Sequence, residues 1–177
     1  MIVLITSCSQ EKNTIVNRAY HNMTARYNGY FNGRLALDDA HRKMTESYQE
    51  DYTQLLPIFI SSKDEVVQPV FPDLERAIEK TSLVVDRHSM DINGKENCKW
   101  IDDTWIVMGE ANFLKGELVQ AKQIFDFTKR KYPDPAIEQL SRYWLARIYT
   151  NQESYTRAGD ELRKLENGTG FPEKRLG

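Results

Sequence analysis

Residues that could support catalysis or metal binding are spread thinly along this chain. The histidines are His21, His41 and His88, and none has a second His, Cys or Glu at metal-ligand spacing. The paired carboxylates Asp38-Asp39 and Asp102-Asp103 diverge by about 100° around a helix, so neither pair converges on one substrate. No serine sits in a glycine-flanked elbow. We therefore predict no catalytic residue, no metal and no cofactor, and we interpret the chain as non-enzymatic.

The cysteines indicate a covalent modification rather than a disulfide. Cys8 follows Ile5-Thr6-Ser7, a pattern typical of the site where a bacterial lipoprotein signal peptide is cleaved and lipidated. We predict that residues 1–8 are a truncated lipoprotein signal segment with its lipobox, and that residues 9–14 are a tether. The alternative is a buried N-terminal strand that ends in a turn. Cys98 is expected to be a small buried hydrophobe.

Composition narrows the class of partner. The chain has 177 residues and a net charge of -2, from 24 basic and 26 acidic residues. This balance leaves no electrostatic footprint for nucleic acid and no polybasic membrane patch. No apolar run approaches the roughly 20 residues that span a bilayer. We therefore expect protein partners, and contact with a membrane through the lipid anchor only.

The chain is predicted to be all-helical, because Ala, Leu, Glu, Lys, Gln and Arg recur at helical spacing. Residues 57–72 contain three prolines and are predicted to form a long loop. Residues 15–56 are predicted to form a repeat-like helical pair. Asp73 caps the next helix, which ends near Met90 before an Asn-Gly turn. The predicted helices span about 15–32, 35–55, 73–90, 96–115, 118–131, 136–151 and 155–166.

Residues 102–135 resemble the roughly 34-residue tetratricopeptide pattern. The matching positions are Trp105, Met108, Gly109, Gly116, Leu118, Ala121, Phe125 and Pro133. Asn112 departs from the pattern, which prefers Tyr there. Gly109 and Ala121 are small where two paired helices would cross most closely, and Trp105 and Phe125 would fill the space beside that crossing.

Further copies of the pattern flank this repeat. The later copy comprises Leu145, Ala146, Tyr149, Tyr155, Ala158, Leu162 and Leu165, and the earlier, weaker copy comprises Tyr27, Asn28, Phe31, Leu37, Ala40 and Met44. Helix pairs of this kind bury their apolar faces by stacking on neighbours. We therefore predict an all-α, tetratricopeptide-repeat-like right-handed helical solenoid, with repeat helices over 73–167. Residues 168–177 would begin a further helix or form a tail.

Some side chains on these helices are expected to form the core, and others are expected to bind a partner. Most aromatic residues are expected to be core, because Tyr20, Tyr27, Tyr30, Phe31, Tyr48 and Tyr52 recur at helical spacing. The inner helices of tetratricopeptide arrays line a concave groove. Transferring those positions predicts a partner-binding groove formed by Asp103, Glu110, Phe113, Tyr143, Arg147 and Asn151. The alternative is that neighbouring repeats or a further C-terminal part cover this face.

Four segments resemble the N-terminal part of the SprE/PorW lipoproteins of Bacteroidetes. They are residues 13–33, 71–80, 88–90 and 99–103. The resemblance implies an outer-membrane lipoprotein with tetratricopeptide repeats that faces the periplasm and serves type IX secretion and, in gliding species, motility. Members are much longer, which implies that this chain is about the first third. The expected function is a non-enzymatic adaptor that links components of the secretion machine.

Two other functions remain open for a lipoprotein with such repeats. One is capture of glycans beside an outer-membrane transporter, which requires long loops with exposed aromatic platforms. Only residues 57–72 could supply such a loop. The other is an assembly factor for outer-membrane barrels.

Overall fold

The computed structural model describes residues 9–56, 58–60 and 65–166. The predicted all-α repeat fold is confirmed, because consecutive helices pack against one another along the chain. The right-handed solenoid stays a prediction. The helices are α1 (Ile15–Thr24), α2 (Phe31–Ser47), α3 (Phe71–His88), α4 (Ile101–Leu114), α5 (Leu118–Lys131), α6 (Pro135–Asn151) and α7 (Tyr155–Glu166). Cys8 with its signal segment, and residues 168–177, lie outside the described residues.

The first two helices form one continuous rod rather than the predicted separate helices over 15–32 and 35–55. The π-helical turns Ala25–Tyr30 join α1 to α2 without a break in helical backbone. Gly33 does not end a helix but lets α3 approach, since a Cβ at Gly33 would lie 2.9 Å from Thr81 Cγ2. The rod ends at Ser47 because Tyr48 is extended, with φ -73° and ψ 127°. Residues 48–55 are therefore not helical.

The connection between α2 and α3 differs from the predicted loop at its C-terminal end. Glu65–Val70 forms 3-10 turns that bury Val67 and Val70 in the core. Helix α3 begins at Phe71, with Pro72 in its first turn, where the missing amide N–H costs no helical hydrogen bond. The predicted start at Asp73 was therefore two residues late.

A short β-hairpin replaces the start of the predicted helix over 96–115. Strands β1 (Asp91–Ile92) and β2 (Lys95–Glu96) pair antiparallel across Asn93 and Gly94, whose φ values of 54° and 81° suit a two-residue hairpin turn. Glu96 closes the hairpin, because its carboxylate accepts hydrogen bonds from the backbone N–H groups of Met90 at 2.7 Å and Cys98 at 2.9 Å. Helix α4 therefore begins only at Ile101.

Helices α4 and α5 approach each other as the repeat pattern predicts. Ala121 is fully buried, and a Cβ at Gly109 would lie 2.6 Å from Phe125 Cζ. Gly116 has φ 86° and supplies the left-handed turn between the helices. Phe125 reaches beyond this pair and stacks on Trp144 of α6, with ring centroids 5.9 Å apart and planes 6° apart. The α4–α5 crossing therefore also positions α6.

The second copy forms the helix pair α6–α7, which is joined to α5 by charged groups. Glu161 is buried and lies 2.8 Å from Arg142 and 3.9 Å from Lys129. Burial alone would raise the pKa of the Glu161 carboxyl, but hydrogen bonds from Arg142 and Lys164 outweigh burial and lower this pKa. Of the predicted copy, Leu145, Ala146 and Ala158 are buried, whereas Tyr155 and Leu162 are exposed.

Several aromatic residues predicted to be core are exposed instead. Tyr20, Tyr27 and Phe31 are exposed on the α1–α2 rod, although the Tyr20 ring also lies 6.2 Å from the His88 ring of α3, and Tyr52 lies in the following connection. Only Tyr30 and Tyr48 of the predicted set are partly buried. The helical spacing correctly placed Tyr20, Tyr27 and Phe31 on one face, but this face has no covering element among the described residues.

The last turn of α1 and the segment before α1 both contact α3. His21 is buried, and its Nδ1 lies 3.0 Å from Nδ1 of His88, so one ring donates and the other accepts. The predicted tether over 9–14 is also held in place. Gln10 Nε2 donates to the Asp86 carbonyl at 2.9 Å, and Asn17 Nδ2 donates to the Ser9 carbonyl at 2.8 Å.

Gly109→Ala is expected to lower the free energy of unfolding by about 1–3 kcal/mol, because the added methyl group overlaps the Phe125 ring. Gly159→Ala in α7 is the matched control. A Cβ there meets no atom within 4 Å, so removing this helical glycine should stabilise the protein by roughly 0.5–1 kcal/mol. Urea denaturation of both variants measures the difference. Equal stabilisation by the two substitutions would contradict the close α4–α5 crossing.

The His21–His88 contact is expected to make stability depend on pH. Burial, followed by the charges of His21 and Arg87, lowers the pKa of the His88 imidazole below its ordinary 6.5. The unfolded chain therefore binds more protons, and the contribution of His88 is complete above about pH 6.5 and declines as the pH falls towards the folded-state pKa. His88→Asn should flatten the melting-temperature profile between about pH 7.5 and 5. An unchanged profile in His88→Asn would contradict this origin.

Candidate partner-binding groove

Two adjoining cavities lie along the inner helices α2, α4 and α6. The first has a volume of about 400 Å³ and receives side chains from all three helices, among them Tyr30, Arg34, His41, Asp103, Glu110, Tyr143 and Arg147. The second has a volume of about 460 Å³ and is lined by Phe113, Asn151, Leu162 and residues 58–60. Tyr143 and Arg147 line both cavities. We call the two cavities together the groove.

Helical spacing brings the predicted partner-binding residues to the groove. Asp103, Glu110 and Phe113 are separated by seven and three residues on α4, and Tyr143, Arg147 and Asn151 follow at intervals of four on α6. All six line one or both cavities. The sequence predicted that all six side chains face outward, but Glu110 is only 8% exposed and Phe113 only 4% exposed. Side chains from α2 and α6 cover these two residues.

Glu110 links α4 to α2 at the floor of the first cavity. Its carboxylate lies 2.8 Å from His41 Nε2 and 3.9 Å from Arg34 Nη1. A buried carboxylate is costly unless it is paired and hydrogen-bonded, so these two side chains compensate for its desolvation. Arg34 also binds Asp38 one turn further along α2, at 3.0 Å. The arrangement fixes the register of α2 against α4.

Arg147 occupies the junction of the two cavities among four aromatic rings. Its guanidinium carbon lies 4.1 Å from the ring centroid of Phe59, 4.6 Å from Trp144, 4.9 Å from Phe113 and 5.8 Å from Tyr143. Burial lowers the pKa of the guanidinium, although Tyr143 and Glu110 oppose this shift. Arg147 forms no ion pair with any residue that the structure describes. The rings are therefore its nearest stabilising groups, and the Glu110 carboxylate acts on the charge without a direct ion pair.

The connection between α2 and α3 contributes one wall of the second cavity. Residues 58–60 lie against α6, where the half-exposed Phe59 ring packs on the Arg147 guanidinium. Ile58 stays 89% exposed at the rim. The sequence predicted a long loop here, but its position over α6 was not predicted. Contacts between a loop and a distant helix leave no periodic signal in the sequence.

The histidines, which appear scattered in the sequence, are paired with distant groups in the structure. His21 contacts His88 across 67 positions of the chain, and His41 contacts Glu110 across 69. Among the described residues, no group of three or more His, Cys, Asp or Glu side chains is arranged to hold a metal ion.

Cys98 is buried as predicted, and burial raises the pKa of its thiol to about 11. In the same part of the chain, no helix is long and apolar enough to cross a bilayer.

Arg147→Lys is expected to lower the free energy of unfolding by about 1–2 kcal/mol, because an ammonium group cannot lie flat against several rings at once. Arg157→Lys is the matched control, since Arg157 is exposed and lies 5.9 Å from a single ring, that of Tyr149. Its effect should stay below about 0.5 kcal/mol. Urea denaturation compares the two, and equal effects would contradict a stabilising role for the aromatic rings around Arg147.

The geometry of the groove is the basis for assigning a function. Comparison of the sequence with models of protein families and with curated proteins gave no match. The groove offers one buried ion-paired carboxylate, one guanidinium held by aromatic rings, and two adjoining cavities. These groups and cavities are the features from which a function can be proposed.

Proposed function

We propose that this protein is a non-enzymatic adaptor, an outer-membrane lipoprotein that faces the periplasm and scaffolds protein–protein interactions in type IX secretion and gliding motility. The resemblance of four sequence segments to SprE/PorW lipoproteins supports the cellular setting. The observation that carries the adaptor role is the groove, in which Tyr143 and Arg147 border two adjoining cavities. Lipidation of Cys8 would hold the repeats at the membrane surface.

The chemistry of the groove suits a protein partner. Aromatic and arginine side chains at the centre of a partly enclosed surface are the groups that contribute most binding energy at protein interfaces. Phe113 and Trp144 provide apolar walls, while Asp103 and Asn151 provide polar groups towards the ends. Each cavity is large enough for one or two side chains. An extended segment or a helix of another secretion component could place successive side chains in both cavities.

The ionisable groups support binding rather than catalysis. The Glu110 carboxylate is already engaged by His41 and Arg34. A general base needs free access to a substrate proton, and this ion pair would have to break to provide it. These contacts are better suited to keeping α2 and α4 in register beneath a bound partner.

The glycan-capture alternative receives less support than the adaptor role. Glycan capture requires an aromatic ring with an open face on a long loop. Phe59 lies in the right connection, but it is only half-exposed and packs on the Arg147 guanidinium at 4.1 Å as part of the wall of the second cavity. The barrel-assembly alternative would use the same groove with a different protein partner, so identifying the partner distinguishes it.

The adaptor role is tested with Tyr143→Ala combined with Arg147→Met in the native cell. Methionine keeps the aromatic contacts without the charge, so helicity should be unchanged and the melting temperature should stay within a few degrees. The variant is expected to lose co-purification of its envelope partner and to stop secretion. The matched control is Tyr155→Ala with Arg157→Met, two exposed positions on α7. A folded groove variant that keeps every partner and secretes normally would refute the proposal.

The lipid anchor is tested in the same cells. When the protein is expressed from its chromosomal locus, a palmitate analogue should label the wild-type protein and not Cys8→Ser. Labelling that survives the substitution would exclude Cys8 as the anchor, while leaving the groove assignment to be judged by the co-purification result.

A further inference from the structure

An exposed apolar stripe runs along the α1–α2 rod, outside the groove. Its side chains are between 44% and 70% exposed. They are Val16, Tyr20, Met23, Tyr27, Phe31 and Leu35. We call these six residues the α1–α2 stripe.

The stripe is straight and one side chain wide. Its members are separated by four, three, four, four and four residues, which places them on one helical face over roughly 30 Å. The π-helical turns Ala25–Tyr30 contain more residues per turn, so spacings of four remain aligned through Tyr27 and Phe31. The exposed Asn28 and Asn32 border the stripe. Such a narrow seam is typical of helix-on-helix packing, whereas a helix that lies on a membrane needs a broader apolar face.

The repeat architecture also favours a helix on the stripe. The rod already buries His21, Ala25 and Gly33 against α3. A helix with a second apolar face is the kind found between two neighbours in a stacked repeat array. No described element of this chain covers the second face, since all six side chains are exposed.

The charges near the α1–α2 stripe indicate which kind of helix would bind it. The 26 residues from Lys12 to Leu37 contain no Asp or Glu. Lys12, Arg18 and Arg26 form no ion pair with any residue that the structure describes. Arg26 is exposed, and its guanidinium carbon lies between the Tyr27 ring of the stripe, at 4.9 Å, and the Trp100 ring, at 4.8 Å. A second copy of this chain would bring like charges together, whereas an acidic partner would neutralise them.

We propose that the α1–α2 stripe binds an amphipathic helix of another protein, in which acidic residues flank a seam of apolar side chains. The Tyr27 and Phe31 rings pack into the partner's apolar seam, and Arg26 pairs with a carboxylate beside it. This surface is separate from the groove and does not depend on the function proposed for it.

The test uses the full chain and two designed helical peptides with leucines at alternating intervals of three and four. One peptide carries Glu at the flanking positions and the other carries Lys. Fluorescence anisotropy at low salt should show at least tenfold tighter binding of the Glu peptide. Met23→Gln with Phe31→Gln should weaken that binding at least tenfold without lowering the melting temperature. Val119→Gln, at an exposed apolar position on α5, is the control and should bind like the wild type.

Charge reversal makes the test specific. Arg26→Glu should reduce or invert the preference for the Glu peptide, whereas Arg157→Glu should leave it unchanged. Equal binding of the two peptides would overturn the proposal. So would a dimer that only the stripe variant abolishes, which identifies a second copy as the occupant. Stripe-dependent binding to vesicles of phosphatidylglycerol, without binding of the Glu peptide, would identify a membrane instead.

Discussion

The stacking of Phe125 on Trp144 is the contact on which the groove depends. Gly109 has no side chain, so the Phe125 ring of α5 lies against α4 and still reaches α6. Trp144 is thereby held by Phe125, and its ring also contacts Phe113, with centroids 5.3 Å apart, and the Arg147 guanidinium, which lies over the ring at 4.6 Å. Aromatic rings prefer offset-stacked or edge-to-face contacts, so these contacts limit the rotamers of Phe125, Trp144 and Phe113. A glycine needed for close packing of one helix pair thus also determines where the charge of the groove lies.

Two buried carboxylates join helices that pack against each other. Glu110 connects α4 to α2 through His41 and Arg34, and Glu161 connects α7 to α6 through Arg142. Removing one partner of such a pair would leave a charge without compensation, at a cost of about 3–5 kcal/mol. The net stability that an intact pair adds is much smaller, because its formation first desolvates both charges. We infer that these pairs mainly select which helix faces which, while apolar contacts supply most of the stability.

The sequence predicted the part of the fold that obeys a short-range pattern. Helix α5 and the end of α4 were located to within one residue, because Gly109, Gly116 and Phe125 each satisfy a local geometric demand, whereas α4 begins five residues later than predicted. The continuous α1–α2 rod was not predicted, since Gly33 resembles a helix breaker until the α3 backbone is placed against it. The pairing of His41 with Glu110 could not be predicted from the sequence either, because it depends on which helices pack against each other. The groove residues were therefore predictable by position, but their burial and ion pairing were not.

The prediction that the tyrosines of the first helix belong to a core was wrong for this chain, and the error is informative. Periodicity identifies an apolar face without specifying what covers it. Tyr20, Tyr27 and Phe31 share one face as predicted, yet the rod meets α3 through His21 and through the small residues Ala25 and Gly33. Small residues let the rod pack closely on its own repeat, while large ones provide contact area on the opposite side. A helix that packs between two other helices needs an apolar surface on both sides. The α1–α2 rod has one such surface against α3 and a second that is exposed, and this supports the proposal that a helix of another protein binds there.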